Sequence, residues 1–307
     1  MHFTWGCPKL LRNTRPALHH NLDGRRTMSD LTLHARFIPC IDPMVDRHLV
    51  ILHGLLGSSD NWQTLGKRYA ESHNVWLLDA RNHGRSPHHP EHSYPAMAED
   101  VVRFLDQNNL SKACFLGHSM GGKTVLKLSQ DHPDRMEKLV VADIAARAYT
   151  PHHGPIFEAL RNVRLQQAAS REEVSDQLVT QLGSDPVLVP FLMKGLHRQT
   201  EGGFSWRFNV PVLQQSLEEV VGSIDLSMNT LPALFIRGSE SDSDEQRGER
   251  VHAQIDAAND FLQGFLQDRN IEAPGEPAFL LSMEALHQKR HQHWVGPQLN
   301  GKLVAHL

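Results

Sequence analysis

Short apolar runs alternate with segments of helical periodicity between Leu49 and Leu139. Four of these runs, each bounded by polar residues, predict buried strands: HLVILHG, NVWLLDA, KACFLGH and EKLVVADI. The segments between them have the 3.6-residue period of amphipathic helices: SDNWQTLGKRYAES, with Ser59 or Asp60 as its cap, YPAMAEDVVRFLDQNNL, with Pro95 in its first turn, and MGGKTVLKLSQDHP. This order predicts an α/β fold, in which a mostly parallel, doubly wound sheet carries helices on both faces.

The alternation stops after Asp143. The following segment has mainly helical patterns, as in PIFEALRNVRLQQA and REEVSDQLVTQL, before LPALFIRG and later PAFLLSM predict further strands. A helical insertion between two strands of one sheet is expected to cap their carboxyl ends, where ligands bind in such sheets. The predicted organisation is an N-terminal extension without its own fold over 1–28, a first core part over 29–144, an inserted helical cap over 145–230, and a second core part with an atypical C-terminus over 231–307.

A single serine, Ser119, lies between the strand KACFLGH and the helix that follows it. The surrounding GHSMG matches the G-x-S-x-G pattern of a nucleophile elbow, and it stands in the strand-to-helix context that this motif requires. Small residues at Gly117 and Gly121 allow a tight turn that leaves the serine hydroxyl exposed. We therefore expect Ser119 to be a nucleophile.

An activated serine needs a base, and the base needs an acid that holds its tautomer. Asp143 ends the strand that follows the nucleophile's helix, so we expect it at the same edge of the sheet as Ser119. Asp242 and Asp244, in the acidic loop after ALFIRG, are the competing acids. For the base, the chain order Ser, Asp, His favours His293 in QHWV. The other late candidates are His252, His287, His291 and His306.

Acyl transfer also needs donors for the negative oxygen of the tetrahedral intermediate. The segment HGLLGSSDNW follows the first strong strand, and there the backbone N–H of Leu55 is expected to point into the site. The N–H of Met120, directly after the nucleophile, is the expected second donor. Leu55 and Met120 are thus the predicted oxyanion hole.

The composition removes several classes of function. With 35 acidic and 31 basic residues, the net charge of −4 supplies no basic field for nucleic acid or anionic lipid. No stretch approaches the roughly 18 apolar residues of a membrane span. The 21 histidines include several adjacent pairs but no metal-ligand spacing, so no metal is expected.

The three cysteines and the N-terminal segment bear on the compartment. Cys7, Cys40 and Cys114 are an odd number without ligand spacing, which fits a reducing compartment. The first 27 residues carry five basic side chains against Asp23. We expect a cytoplasmic protein, with the mitochondrial matrix as the alternative if that segment acts as a transit peptide.

Five motifs in order carry a resemblance to a known family: HGLLGSSDNW, LLDARNHGRSP, YPAMAEDV, LGHSMGGKT and SWRFNVPVL. The chain resembles the YbfF-type esterases of the α/β-hydrolase superfamily from about Leu31 to Gly238. The resemblance implies a small carboxylester or acyl-thioester hydrolase without cofactor, supports Asp143 as the acid, and places Trp206 and Phe208 in the substrate pocket. Beyond Gly238 the match ends. The family's GHWVH loop corresponds to QHWVG in this chain, which comes later in the sequence because of a real insertion or a frame disturbance in the gene.

The expected function is that of a serine hydrolase. It would cleave carboxylic esters or acyl thioesters with small to medium acyl groups through Ser119, His293 and Asp143. Its expected partner is a small-molecule substrate, and its expected state is a monomer or a homodimer. The alternative is a non-catalytic ligand-binding protein on a hydrolase fold with a displaced histidine.

Overall fold

The computed structural model describes residues 31–225, 231–237 and 266, together with the backbone of 279–282, 298–299 and 302–306. The N-terminal extension expected over 1–28 lies outside these residues. The same holds for Asp242, Asp244 and the base candidates His252, His287, His291 and His293.

A nine-stranded sheet forms the centre of the described structure. Its strands in chain order are β1 (Ala35–Ile38), β2 (His48–Leu52), β3 (Asn74–Leu78), β4 (Ala113–His118), β5 (Met136–Ala142), β8 (Ala233–Arg237), β9 (Phe279–Ser282), β10 (Gln298–Leu299) and β11 (Lys302–His306). In space they lie in the order β1-β3-β2-β4-β5-β8-β9-β11-β10, antiparallel only at the pairs β1–β3 and β10–β11. The predicted mostly parallel sheet is confirmed.

Three helices connect the central parallel strands: α1 (Gln63–Tyr69), α2 (Tyr94–Gln107) and α3 (Met120–Asp131). The Oγ of Ser93 accepts a hydrogen bond from the N–H of Ala96 at the start of α2, and Pro95 stands in the first turn as predicted. At α1 the prediction of the cap is wrong. A 3-10 turn over Ser59–Trp62 precedes the α-helix, and Ser58, not Ser59 or Asp60, caps that turn.

The sheet is covered on both faces because its central strands contain uninterrupted runs of buried residues, such as 49–52 in β2 and 139–142 in β5. Leu49 and Ile51 of β2 pack with Leu65 and Tyr69 from the α1 side in one buried cluster. The side chain of Val141 in β5 faces α3 instead: a Cβ at Gly122 would be 3.2 Å from its Cγ1. Strands buried on both faces read as continuous apolar runs, which explains why the sequence pattern identified them.

An inserted cap separates β5 from β8. It contains α4 (Gly154–Asn162), α5 (Arg171–Leu182), α6 (Leu188–Lys194), β6 (Leu196–Arg198), β7 (Phe204–Trp206), α7 (Val210–Gln215) and α8 (Leu217–Val221). The cap is mainly helical, as the sequence predicts. It also contains an antiparallel hairpin of β6 and β7, which the sequence pattern does not predict. The cap has its own core around Phe157, Leu178 and Phe204, and Leu56 from the loop after β2 packs into that core.

Candidate active site

Ser119 stands at a strained corner between β4 and α3. Its backbone has φ 51° and ψ −116°, although it is not a glycine, and it directly precedes the first residue of the helix. The N–H of Ser119 donates to the carbonyl of Ala142 in β5, and its own carbonyl accepts from the N–H of Lys123. A non-glycine residue in such a conformation costs about 1–3 kcal/mol and is held only where the surroundings fix it.

Two glycines permit this corner because strand and helix approach each other closely. A Cβ at Gly117 would lie 2.3 Å from the carbonyl oxygen of Gly121. A Cβ at Gly121 would lie 2.5 Å from the carbonyl oxygen of Leu52 in β2. Both separations are far below any van der Waals contact. The tight turn inferred from the sequence is therefore present, and its reason is backbone packing on both sides of Ser119.

The loop after β2 lies directly beside Ser119. A Cβ at Gly54 would be 3.2 Å from the Cβ of Ser119, so the loop backbone is in van der Waals contact with the serine. The N–H of Gly57 donates to the carbonyl of Gly54 at 3.0 Å, which closes a turn with Leu55 and Leu56 at its centre. Leu56 has φ 61°, another strained non-glycine position. We call residues 53–57 the oxyanion loop.

The two residues predicted to form the oxyanion hole line a common cavity. Leu55 and Met120 both line the cavity that contains Ser119. Met120 is the first residue of α3, so its N–H has no acceptor within the helix. The positive end of the helix dipole adds to the attraction for a negative oxygen at this point.

Asp143 follows β5 and lines the same cavity as Ser119. Its backbone has φ 54°, and its N–H donates to the carbonyl of Ile236 in β8 at 2.7 Å. The structure thus places the predicted acid at the carboxyl edge of the sheet, next to the nucleophile's strand. The predicted base, His293, lies outside the described residues, and the alternative His306 has only its backbone described, in β11.

Four other histidines line the cavity: His53, His118, His152 and His153. The rings of His152 and His153 stack with centroids 4.1 Å apart. Burial lowers the pKa of His53 below its ordinary value, although Asp79 nearby acts in the opposite direction. His53 is therefore a neutral hydrogen-bonding group at neutral pH.

The rest of the cavity is mostly apolar, with aliphatic and aromatic side chains from the oxyanion loop, the segment after β5 and the cap. These apolar lining residues include Leu55, Leu56, Ile144, Ile156, Val187, Leu188, Phe191, Val220 and Val221. Such a wall suits a hydrocarbon chain bound beside the hydroxyl of Ser119.

Trp206 and Phe208 lie elsewhere than expected. Their rings stack at 5.1 Å, Phe208 is fully buried, and both belong to the cap core rather than to the residues that line the cavity. The indole N–H of Trp206 donates to the carbonyl of Leu160 in α4. The expectation that this pair lines the pocket is therefore corrected. They keep the cap helices together, and an aromatic motif alone does not distinguish these two roles.

Sequence reasoning missed a buried lysine on the nucleophile's helix. Lys123 lines the cavity, is fully buried, and its Nζ donates to the carbonyls of Val221 and Gly222 at the end of α8. Its ammonium also lies 5.0 Å from the ring centre of Tyr149. Burial, aided by Arg147, lowers the pKa of Lys123 to about 8. Through these hydrogen bonds the lysine connects α8, the last helix of the cap, to α3.

In the part of the chain that the structure describes, no three His, Cys, Asp or Glu side chains are grouped closely enough to hold a metal ion. Within the same residues, no helix has the length and hydrophobicity needed to cross a membrane.

Known proteins resemble this chain over the region that carries the site. Esterase YbfF of Escherichia coli (strain K12) is 41% identical over 194 residues, which cover 63% of this chain and 74% of the esterase. The sn-1-specific diacylglycerol lipase ABHD11 of Mus musculus is 36% identical over 201 residues, covering 63% of this chain and 65% of the lipase, slightly less than two thirds of its length.

A solved structure and a family model agree with these relatives. A marine microorganism esterase is 34% identical and superposes with a TM-score of 0.65, covering 70% of this chain and 85% of the esterase. The family model described as alpha/beta hydrolase fold matches residues 47–237. These findings confirm the resemblance to YbfF-type esterases. The chain belongs to the α/β-hydrolase fold family.

Proposed function

We propose that this protein is a serine hydrolase that cleaves carboxylic esters through an acyl-enzyme on Ser119. The observation that carries the proposal is the strained backbone of Ser119 at a strand-to-helix corner, in one cavity with Leu55, Met120 and Asp143. Relatives named esterase and diacylglycerol lipase support ester hydrolysis as the class of reaction.

In the proposed reaction, His293 takes the proton of the Ser119 hydroxyl as its oxygen attacks the acyl carbonyl. Asp143 accepts a hydrogen bond from the other ring nitrogen of His293 and stabilises the imidazolium that forms. The imidazolium then gives its proton to the leaving alkoxide, and the acyl group stays on Ser119. A water molecule, deprotonated by the same histidine, releases the carboxylic acid and restores the serine.

The proposed oxyanion hole consists of the amides of Leu55 and Met120. Both are backbone donors on a loop and a helix end whose conformations are fixed by the fold, so they need no reorganisation when negative charge develops on the carbonyl oxygen. One such donor is typically worth 10²–10³ in rate, or about 2.7–4 kcal/mol. The pair would therefore contribute a large share of the acceleration.

The apolar wall of the cavity favours an acyl chain as the group that is bound. Ile156, Val187 and Phe191 come from the cap and face the same cavity as Ser119. Small to medium acyl groups are the proposed substrates. Thioesters with the same acyl groups are a second set, because attack on their carbonyl uses the same nucleophile and the same oxyanion donors.

Steady-state hydrolysis of p-nitrophenyl acetate, butyrate and octanoate tests the proposal. The wild type is expected to release p-nitrophenol, and Ser119→Ala is expected to reduce the rate to the background, while both variant and wild type have the same circular dichroism spectrum. A matched acyl thioester then compares the two leaving groups.

The base has a separate test. His293→Ala should abolish turnover as Ser119→Ala does. Activity that survives this substitution would move the base to another histidine. A folded but inactive wild type would overturn the esterase and favour the ligand-binding alternative.

A further inference from the structure

Two buried histidines join the oxyanion loop to the loop that follows β3. His53 belongs to the oxyanion loop, and its Nε2 accepts a hydrogen bond from the N–H of Ala80 at 3.0 Å. His83 belongs to the second loop, and its Nε2 accepts from the N–H of Leu56 at 3.1 Å. The two rings are both buried, with centroids 5.1 Å apart. Each imidazole thus binds the backbone of the other's loop.

The hydrogen bonds define the protonation state of both rings. Because each Nε2 accepts from a backbone amide, each ring carries its proton on Nδ1. His53 donates that proton to the carbonyl of Gly54 at 2.8 Å, and His83 donates to the carbonyl of Arg81 at 3.0 Å. Burial lowers the pKa of both rings, which agrees with neutral imidazoles.

These bonds act on the two peptide groups that flank Leu55. In a trans peptide the C=O and the N–H point to opposite sides. The carbonyl of Gly54 is held by His53 and by the N–H of Gly57, so the Leu55 N–H of the same peptide points away from them. The next peptide, between Leu55 and Leu56, is held through the bond from Leu56 N–H to His83.

Leu56 explains why this peptide needs an external partner. It occupies the third position of the turn with φ 61°, which glycine adopts readily and leucine does not. Reversal of the central peptide would relieve the strain by returning Leu56 to negative φ, but it would break the bond to His83. The bond therefore opposes a change in the turn that carries the oxyanion donor.

A carboxylate adds a further connection between the same loops. The Oδ1 of Asp79 accepts from the N–H of Ser59, just after the oxyanion loop, and its Oδ2 accepts from the N–H of Arg85. Asn82 of the second loop is also bonded to the cap, since its carbonyl accepts from the N–H of Asn209. The second loop is thus fixed from two sides and is a rigid support for His83.

We propose that His53 and His83 are positioning residues for the oxyanion hole, which fix the Leu55 amide through a reciprocal pair of imidazole-to-backbone hydrogen bonds. This inference rests on the proposed function, because it assigns a role at the same site. This role requires no contact between either ring and the substrate. Their effect is on the transition state, so they should influence kcat more than KM.

His83 gives the sharper test, because its neighbour His92 provides a matched control. The His92 ring is also buried and lies 5.6 Å from that of His83, but it makes no bond to the oxyanion loop among the hydrogen bonds of the described residues. We would compare His83→Phe with His92→Phe in p-nitrophenyl butyrate hydrolysis. A displacement of the donor by about 1 Å costs on the order of 100-fold. We expect His83→Phe to lower kcat about 10- to 100-fold with KM within threefold, and His92→Phe to change neither more than twofold.

Rescue by a side chain that can still accept distinguishes positioning from packing. In His83→Gln the amide oxygen reaches the place of Nε2, whereas in His83→Asn it is too short to do so. The glutamine variant should recover most of kcat and the asparagine variant should not, and both variants can be compared if His83→Phe does not fold. Equal losses in the glutamine and asparagine variants, or equal losses in His83→Phe and His92→Phe, would overturn the inference. An inactive wild type would instead reject the proposed function itself.

Discussion

Replacing Gly117 with alanine tests the close contact between β4 and α3 on which the serine corner depends. The new Cβ would lie 2.3 Å from the carbonyl oxygen of Gly121 and 2.7 Å from the backbone nitrogen of Gly122. Contacts between carbon and oxygen normally begin near about 3.3 Å. Strand and helix would therefore have to separate by about 1 Å, and Ser119 lies at the junction that moves.

This displacement should affect both the stability of the protein and its reaction rate. Forced overpacking of this kind costs about 1–3 kcal/mol of unfolding free energy. A displacement of about 1 Å at a reacting atom costs on the order of 100-fold in rate. We therefore expect Gly117→Ala to remain folded at 25 °C but to lose about 100-fold in kcat/KM.

The assays are urea denaturation for stability and p-nitrophenyl butyrate hydrolysis for rate. Gly154→Ala is the control, because a Cβ at this position in the first turn of α4 has no neighbour within 4 Å. The control should match the wild type in both measurements. If Gly117→Ala kept more than half of the wild-type kcat/KM, the steric account of the elbow would be wrong.

Three further predictions concern other parts of the molecule. Asp143→Asn should lower kcat on the order of 10⁴-fold with a small change in KM, whereas activity within tenfold of wild type would favour Asp242 as the acid. Lys123→Met leaves two carbonyls at the end of α8 without their donor and should cost about 2 kcal/mol in urea denaturation. The control Lys127→Met removes an exposed ion pair on the same helix and should cost less than about 0.5 kcal/mol. Equal costs for the two substitutions would contradict the stabilising role of the hydrogen bonds from Lys123 to the end of α8. Burial lowers the pKa of His73 to about 4, so the unfolded chain binds its proton first and stability falls as the pH drops from about 6.5 to 4. In urea denaturation, the free energy of unfolding of His73→Gln should fall by about 2 kcal/mol less than that of the wild type when the pH is lowered from 7 to 5. Equal losses in the two proteins would refute burial of His73 as the cause.

The central strands and the nucleophile were predictable because one simple physical rule governs each. A strand buried on both faces needs an uninterrupted apolar run, and β2, β4 and β5 have one. The corner at Ser119 needs small residues on both sides, and the sequence supplies them. In both cases the pattern that reveals the feature lies within a few neighbouring residues of the sequence.

The features that the sequence did not reveal depend on contacts between distant segments. The hairpin of β6 and β7 has three residues in each strand, too few for a periodic pattern. Lys123 occupies an ordinary helical position and becomes buried only because the end of α8 supplies carbonyl acceptors.

The positions of Trp206 and His83 were hidden for the same reason. An aromatic residue is equally suited to a cap core and to a pocket, so only the three-dimensional packing assigns Trp206 to the core. His83 is one of 21 histidines, and its bond to Leu56 joins two residues that are 27 positions apart in the chain. The motifs HGLLGSS and RNHGRS were visible in the sequence, but the contact between them was not.

Covalent labelling with a fluorophosphonate tests most directly that Ser119 is an activated nucleophile. An activated serine oxygen attacks the phosphorus atom and displaces fluoride, and a stable phosphonyl group remains on the serine. A single adduct can then be measured by intact-protein mass and located by peptide mapping. We expect one adduct, on the peptide that contains Ser119, and none in Ser119→Ala. A folded wild type that takes up no label, or takes it up on another residue, would contradict the account.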